Sequence, residues 1–356
     1  MSTNPHTTEP LRPAQEDADF EKLMLISQGH VAFRVLHAGL ELGLFEILHK
    51  TPGLNHRQIE ESLLLEETPC QILLRALYSL DLLVKRNELF YNSPTTTLYL
   101  LTEGGYHFKD ILGWQSEIVY PAIIDFTEAL TKNTNIGLRH FPGPGDNLYE
   151  RLSAHPSLLK TFQRSMSALS RSANAEFIRQ IPLDPNETLV DIGGGDGTNL
   201  KSILNTHPNL KGIVFDLPDI CDLARRNIKD WGLESKLSVN PGNLFNDPFP
   251  KASTLLFNHM FTIWSGEKIT EILTKCFHHL DQGGKVIVFN MMSHDHEYGP
   301  ISCALGSPYF LTIATGQGKL HTSSEYEAWF HKAGFQKVQR FSGLPIDHSF
   351  LVAYKE

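Results

Sequence analysis

The chain has 356 residues, a formal net charge of −9, and 41% hydrophobic and 20% charged residues. That is the composition of a globular protein of about two domains, and its acidic balance argues against a general nucleic-acid surface. No apolar run reaches membrane-spanning length, and four scattered cysteines (Cys70, Cys221, Cys276 and Cys303) lack metal spacing and read as reduced thiols of a cytoplasmic protein.

In chain order, residues 1–17 are polar and acidic, and are expected to form a disordered tail rather than a signal peptide. Across residues 20–50, Val31, Val35, Ala38, Leu42, Phe45 and Leu48 recur at three- and four-residue spacing. This predicts helix with more apolar circumference than one packing face needs. Between Asn55 and Tyr91 a helix carrying Ile59 and Leu63 is followed by a second, opened by Pro69 and carrying Leu73, Ala76, Leu77 and Leu80. Two short strands around a turn at Arg86-Asn87 then complete a winged-helix pattern. Such a unit can bind DNA, but its second helix has Arg75 as its one basic residue. Residues 18–115 are taken as this helical, winged-helix domain. Residues 116–180 follow as connecting helices, with a loop at Phe141-Pro-Gly-Pro-Gly145 and a long helix over 158–179.

From residue 181 to 356 strand and helix alternate, as a mostly parallel sheet requires. Strands are expected at 188–192, 212–216, 236–239, 253–258, 285–290, 335–341 and 349–354. The last two are joined by a turn at Gly343-Leu-Pro345, so the final strand should run antiparallel. The segment 306–311 reads as a helix at a pocket entrance, with Tyr309 or Phe310 flanking a ring.

The stretch Thr188-Leu-Val-Asp-Ile-Gly-Gly-Gly-Asp-Gly-Thr-Asn-Leu200 organises this second half. Leu189, Val190 and Ile192 mark a buried strand, glycines follow at once, and a helix begins at Asn199. This is a nucleotide-cofactor loop at the carboxyl end of a parallel strand. A dinucleotide site wants Gly-x-Gly-x-x-Gly around a pyrophosphate. Here Gly193, Gly195 and Gly197 stand with Asp191 before them and Asp196 among them, and a carboxylate would repel a phosphate. The loop suits a ligand with a positive end and no phosphate, namely S-adenosylmethionine, its methionine end held by Asp191, Gly193 and Gly195. A second strand ends at Asp216, whose carboxylate can accept from both ribose hydroxyls. A nicotinamide dehydrogenase is disfavoured on the same grounds.

Asp191-Ile-Gly-Gly-Gly-Asp-Gly197, Val214-Phe-Asp-Leu-Pro218, Pro241-Gly-Asn-Leu-Phe245, Trp264-Ser-Gly-Glu267 and Gly283-Gly-Lys-Val-Ile-Val288 resemble the plant-type and bacterial small-molecule O-methyltransferases, the caffeic acid and acetylserotonin type. The resemblance runs from about Leu25 to the C-terminus. It implies a Rossmann-like class I methyltransferase domain, α/β with seven strands and the last antiparallel, behind an N-terminal winged-helix dimerisation domain. It further implies a homodimer, a small aromatic and phenolic substrate, and secondary metabolism. By position, Leu217, Asn243 and Leu244 would meet the adenosine, with Asn243 in place of the family's aspartate. Ser170 and Asn258 would make further cofactor contacts. Phe162 and Met166, in Phe162-Gln-Arg-Ser-Met-Ser-Ala-Leu-Ser170, would line the substrate pocket, with Thr262, Met292, Tyr309 and Phe310.

The catalytic residues depart from the family. Its general base is a histidine in a His-Asp-Trp triplet, and this chain has Thr262-Ile263-Trp264. Its helper glutamate aligns with Leu320 in Gly318-Lys-Leu-His321. A threonine hydroxyl is no base near neutral pH. Three readings remain: His259 at the mouth of the same strand is the base; the substrate needs no strong base; or the acceptor is a ring carbon, as in antibiotic-pathway C-methyltransferases that this chain also resembles. His294, Asp295, His296 and Glu297 are consecutive and lack partners elsewhere, so no metal site is expected. Two other functions stay open on the sequence: a methyltransferase fold that keeps its cofactor for non-methylating chemistry, and a winged-helix regulator.

Overall fold

A computed structural model describes residues 13–101, 108–296 and 298–356. The chain divides into two compact units, Met1–Leu112 and Gly113–Glu356. Of the expected tail, residues 1–12 lie outside the described residues. Residues 13–17, however, belong to the first helix, Pro13–Ser27.

In the first unit that helix is followed by Gly29–Glu41 and Leu44–Lys50, broken where Gly43 takes a φ of 71°. His56–Leu63 is opened by a reciprocal cap: the Asn55 side chain accepts from the Gln58 N–H, and the Gln58 side chain accepts from the Asn55 N–H. Glu67–Ser79 and the strands β1 (Leu83–Arg86) and β2 (Leu89–Asn92) complete the winged-helix order. The hairpin turn falls one residue later than its sequence suggested. Arg86 pairs with Leu89, so Asn87 and Glu88, both at positive φ, are the turn residues. Phe45, Leu48, Ile59, Leu74, Leu77 and Leu83 form the core of this unit. Phe20, Leu23, Leu25, Ile26 and Val31 on the first two helices are exposed, and Phe20, Leu25 and Val31 border a groove of about 730 Å³ that also takes in Val35 and Leu80.

The second unit opens with helical segments that change pitch. After Trp114 the chain is π-helical over Gln115–Val119, briefly α-helical over Tyr120–Ala122, 3-10 over Ile123–Asp125, then α-helical over Phe126–Lys132. Pro121 removes a backbone donor, and the ladder rearranges around it. Helix Pro156–Gln180 then leads into the sheet.

The strands are β3 (Thr188–Ile192), β4 (Lys211–Asp216), β5 (Leu237–Pro241), β6 (Thr254–Asn258), β7 (Lys285–Met291), β8 (Lys337–Leu344) and β9 (His348–Tyr354). Their order is β5-β4-β3-β6-β7-β9-β8. β9 is inserted between β7 and β8 and runs antiparallel to both. Gly343 lies within a register shift of β8, and the reversal is made by Pro345, Ile346 and Asp347, beyond the expected turn. Alternate residues of the central strands feed two cores. Val190, Phe257, Val288 and Leu351 face helices Gly266–His279 and Ser323–Ala333. Leu189, Leu256, Phe289 and Phe350 face helices Pro156–Gln180, Thr198–Thr206 and Pro218–Asp230. Burial on both faces makes the strands read as unbroken apolar runs. The carboxyl ends of β3, β4 and β6 meet at one edge, where the strand order reverses.

Candidate active site

β3 ends in Asp191-Ile192 and turns through Gly193, Gly195 and Gly197, at φ of 72°, 58° and 83°. A side chain on Gly193 would meet the Met260 sulfur at 2.9 Å. The turn is therefore closed to any residue but glycine. The Gly193 N–H donates to the Phe215 carbonyl at 2.8 Å, and the Gly195 N–H to Asp216 Oδ2 at 2.9 Å. Asp216 Oδ1 accepts from the Leu217 N–H at 2.7 Å. Each carboxylate oxygen keeps a lone pair, so Asp216 can still accept a pair of hydroxyls. Burial raises the Asp216 carboxyl above its usual range, against these two backbone donors. Leu217 is half exposed beside it.

A cavity of about 690 Å³ opens beside the loop, lined by Met166, Gly193, Gly194, Gly195, Asn258 and His259 among others. In its wall Asn174 Oδ1, Asn258 Oδ1 and His259 Nε2, and beneath the loop both oxygens of Asp191, have no hydrogen-bond partner among the described residues. Asp191 is fully buried directly beneath Gly194. Burial, then Asp216, then Asp196 push its carboxyl up to about 8, while the Asn199 amide pulls the other way. A site with this many unpaired acceptors calls for a cationic, donor-bearing ligand.

Asn243 Oδ1 accepts from the Phe245 N–H at 2.9 Å, closing its own turn, which leaves its amide N–H₂ as the free edge. Leu244 is buried in the sheet core. For Ser170, the side chain lies outside the described residues. His259 holds a positive φ of 54°, and its ring packs edge-on to Phe289 and His348, with centroids 5.1 and 5.0 Å away. Burial first, then the neighbouring His348, lower its pKa well below the ordinary imidazole value. It is a neutral acceptor and a weaker base than the sequence suggested. Thr262 is buried in the turn Phe261–Ile263, and a side chain on Gly318 would strike its carbonyl. Leu320 is buried two residues on. The fold thus sets Gly318 against the Thr262 carbonyl, with threonine at 262 and leucine at 320.

Phe162 and Met166 lie one turn apart on Pro156–Gln180; Met166 lines the cavity, while Phe162 packs edge-on to Tyr149 at 5.7 Å. Tyr309 and Phe310 pack together at 5.1 Å, and Tyr309 meets Trp114 at 4.9 Å. Met292 is not brought to this group. It is buried in the core with Ile269 and Tyr326 and accepts from the Ser323 hydroxyl. Trp114, Tyr149 and Asn174 were missed by sequence reasoning, because they stand outside every motif. Asp295 is tied to Arg340 and the Ser324 N–H, and no cluster suited to a metal occurs among the described residues. Glu297 lies outside them. No helix among the described residues is long and apolar enough to cross a membrane.

A seven-stranded sheet with this order and a reversed last strand is the frame of the class I S-adenosylmethionine-dependent methyltransferases. Within that class the chain belongs to the O-methyltransferase family: the O-methyltransferase domain matches residues 127–336 and the O-methyltransferase dimerisation domain matches residues 24–102. It is 34% identical over 342 residues to an L-tyrosine C(3)-methyltransferase of Streptomyces lavendulae, covering 95% of this chain and 93% of that protein. Among solved structures it resembles the apo form of the S-adenosylmethionine-dependent methyltransferase SibL. The TM-score is 0.84 at 32% identity, covering 94% of this chain and 98% of that one. Human N-acetylserotonin methyltransferase in complex with S-adenosylmethionine shares the fold, with a TM-score of 0.79 at 22% identity over 95% and 97% of the two chains.

The protein is therefore an S-adenosylmethionine-dependent small-molecule methyltransferase. The two other functions left open by the sequence have no support in these likenesses. The residues present fit the cofactor: an ammonium and a sulfonium match the unpaired acceptors around Asp191, and no phosphate has to face Asp196.

Proposed function

We propose that this enzyme methylates a ring carbon beside the hydroxyl of a small phenol of the L-tyrosine type, in secondary metabolism. The observation that carries this reading is that Thr262 and Leu320, both buried, stand at the positions that the sequence resemblance aligns with the family's histidine and glutamate. A chain without that pair suits an acceptor whose nucleophile is not the hydroxyl itself. The likeness to an L-tyrosine C(3)-methyltransferase supports the same choice.

When bound, the cofactor supplies an electrophilic methyl group on sulfur. Asp191, Asn174 and Asn258 would hold its methionine end, with Gly193, Gly195 and Ser170. Asp216 would take the ribose hydroxyls, and Leu217, Asn243 and Leu244 would border the adenine, Asn243 through its amide donor. Phe162, Met166, Tyr309 and Phe310 would hold the substrate ring, with Thr262 on an apolar wall. His259 is assigned the phenolic proton. Holding the ring carbon in line with the methyl is the larger task, since alignment alone can remove roughly 7–11 kcal/mol of barrier. The exposed apolar residues of the first two helices, within the dimerisation domain, support a homodimer that buries them. No nucleic acid takes part in this reading.

Incubation with S-adenosylmethionine and L-tyrosine, with mass analysis of the products, tests it. A gain of one methylene unit that displaces one ring hydrogen is expected. A methoxy product, or cofactor consumption without methylation of any phenol, would overturn it.

A further inference from the structure

Outside the cofactor cavity, three polar aromatic side chains gather in one place. Trp114 and Tyr309 are buried, at 8% and 4% exposure, with their rings edge-on at 4.9 Å. The Tyr309 hydroxyl lies near that of Tyr149 and near the Trp114 indole N–H. Yet the Trp114 N–H and the Tyr309 hydroxyl have no hydrogen-bond partner among the described residues. A buried donor left unpaired costs about 1–3 kcal/mol, and these groups approach each other and the Tyr149 hydroxyl without closing a hydrogen bond of normal geometry. Burial raises both tyrosine hydroxyls far above their ordinary value, so they stay protonated and remain donors.

Trp114 and Tyr309 each immediately precede a π-helical turn, Gln115–Val119 and Phe310–Ala314, beside Pro121 and Pro308, which remove donors from the helical ladder. Turns of this kind are frequent at functional sites. One helix links the group to the cofactor cavity. Tyr149 packs on Phe162, and Met166, one turn along the same helix, lines the cofactor cavity.

From this we infer that Trp114, Tyr149 and Tyr309 form a donor set that holds the substrate's phenolic oxygen and stabilises its phenolate form. The inference rests on the phenol reading above and deepens it. Three protonated donors, one of them an indole N–H that cannot accept, match an oxygen that carries negative charge. The charge so held is the one that activates the neighbouring ring carbon. The phenolic proton passes to His259, the carbon–methyl bond forms as the methyl–sulfur bond breaks, and the ring proton is then lost to water. These three residues are positioning groups for the acceptor, and they give a chain with Thr262 and Leu320 at the usual base positions a way to lower the phenol's pKa.

The test is spectroscopic. 4-Nitrophenol, whose phenolate absorbs visible light, is titrated with pH on the full-length protein loaded with S-adenosylhomocysteine. Wild type is compared with Tyr149→Phe, Tyr309→Phe and Trp114→Phe, all checked for native melting. Each donor lost should raise the pKa of the bound nitrophenol by about one unit, a tenfold change in its ionisation ratio. Tyr→Phe keeps the packing, so a purely structural role would leave that pKa unmoved. Saturable binding with the same pKa in every variant would overturn the donor set alone. No binding to wild type would overturn the phenol reading and the donor set with it.

Discussion

Replacing Asp191 by asparagine tests the acceptor-lined cavity most sharply. The carboxyl is fully buried, unpaired, and raised from 3.8 to about 8 in the protein. At pH 7 a group with that pKa is about nine-tenths protonated. A cationic ligand favours the carboxylate, so binding should release about 0.9 proton from this residue at pH 7 and about 0.1 at pH 9. Over the same interval the apparent Kd should tighten roughly tenfold, since only the ionised fraction competes for the cation. Calorimetry of S-adenosylhomocysteine binding in buffers of different ionisation enthalpy measures the released proton. The difference between wild type and Asp191→Asn isolates this residue from the ligand's own amine. Equal proton release in both proteins would refute the reasoning. The sign for stability follows from the same shift. A carboxyl whose folded pKa is raised penalises the folded state progressively as pH rises from 3.8 to about 8. The unliganded asparagine variant should therefore gain melting temperature over wild type across that window, and the gain should vanish at acid pH.

Other predictions follow from the remaining residues. Asp216→Ala removes the acceptor of the Gly195 and Leu217 N–H groups and, in the proposed binding mode, of the ribose, and should weaken cofactor binding by about 10–100-fold in a direct titration. His259→Ala should lower turnover by roughly 10²–10⁴ with cofactor affinity kept; unchanged turnover would remove His259 from the proton's path. Thr262→Val should leave turnover within about threefold, because its hydroxyl takes no proton, and a loss of a hundredfold would contradict that. Leu23→Asp with Ile26→Asp places charge on the exposed apolar stripe and should convert a dimer to monomer by native mass spectrometry; a dimer that persists would locate the interface elsewhere.

How much of this was legible depended on whether the signal was local. The glycine loop, Asp216 and all seven strands of the large sheet follow from short contiguous patterns: apolar runs, a turn that only glycine fits, a strand ending in an acid. The structure moves their ends by one to three residues at most. Thr262 and Leu320 read as departures because both stand at fixed distances from motif residues. Trp114, Tyr149 and Tyr309 come from three separate segments, and only the tertiary fold gathers them. The π-helical turns beside two of them have no period that sequence reading can recognise. His259 shows the same limit from the other side. Its place at the end of β6 was evident, but its basicity was not, because that is set by burial against Phe289 and His348, contributed by β7 and β9. Met292 failed for a related reason: it follows β7 as expected, but its side chain enters the core rather than the aromatic cluster.

The central claim is methyl transfer from S-adenosylmethionine to a carbon of a phenol ring. Cofactor labelled with carbon-13 in its methyl group, incubated with the enzyme and L-tyrosine, tests it in one spectrum. The label is expected to appear as an aryl methyl with one ortho proton lost. A labelled aryl methoxy signal would contradict carbon transfer, and a label that stays on sulfur or goes to nitrogen would contradict the phenol as acceptor.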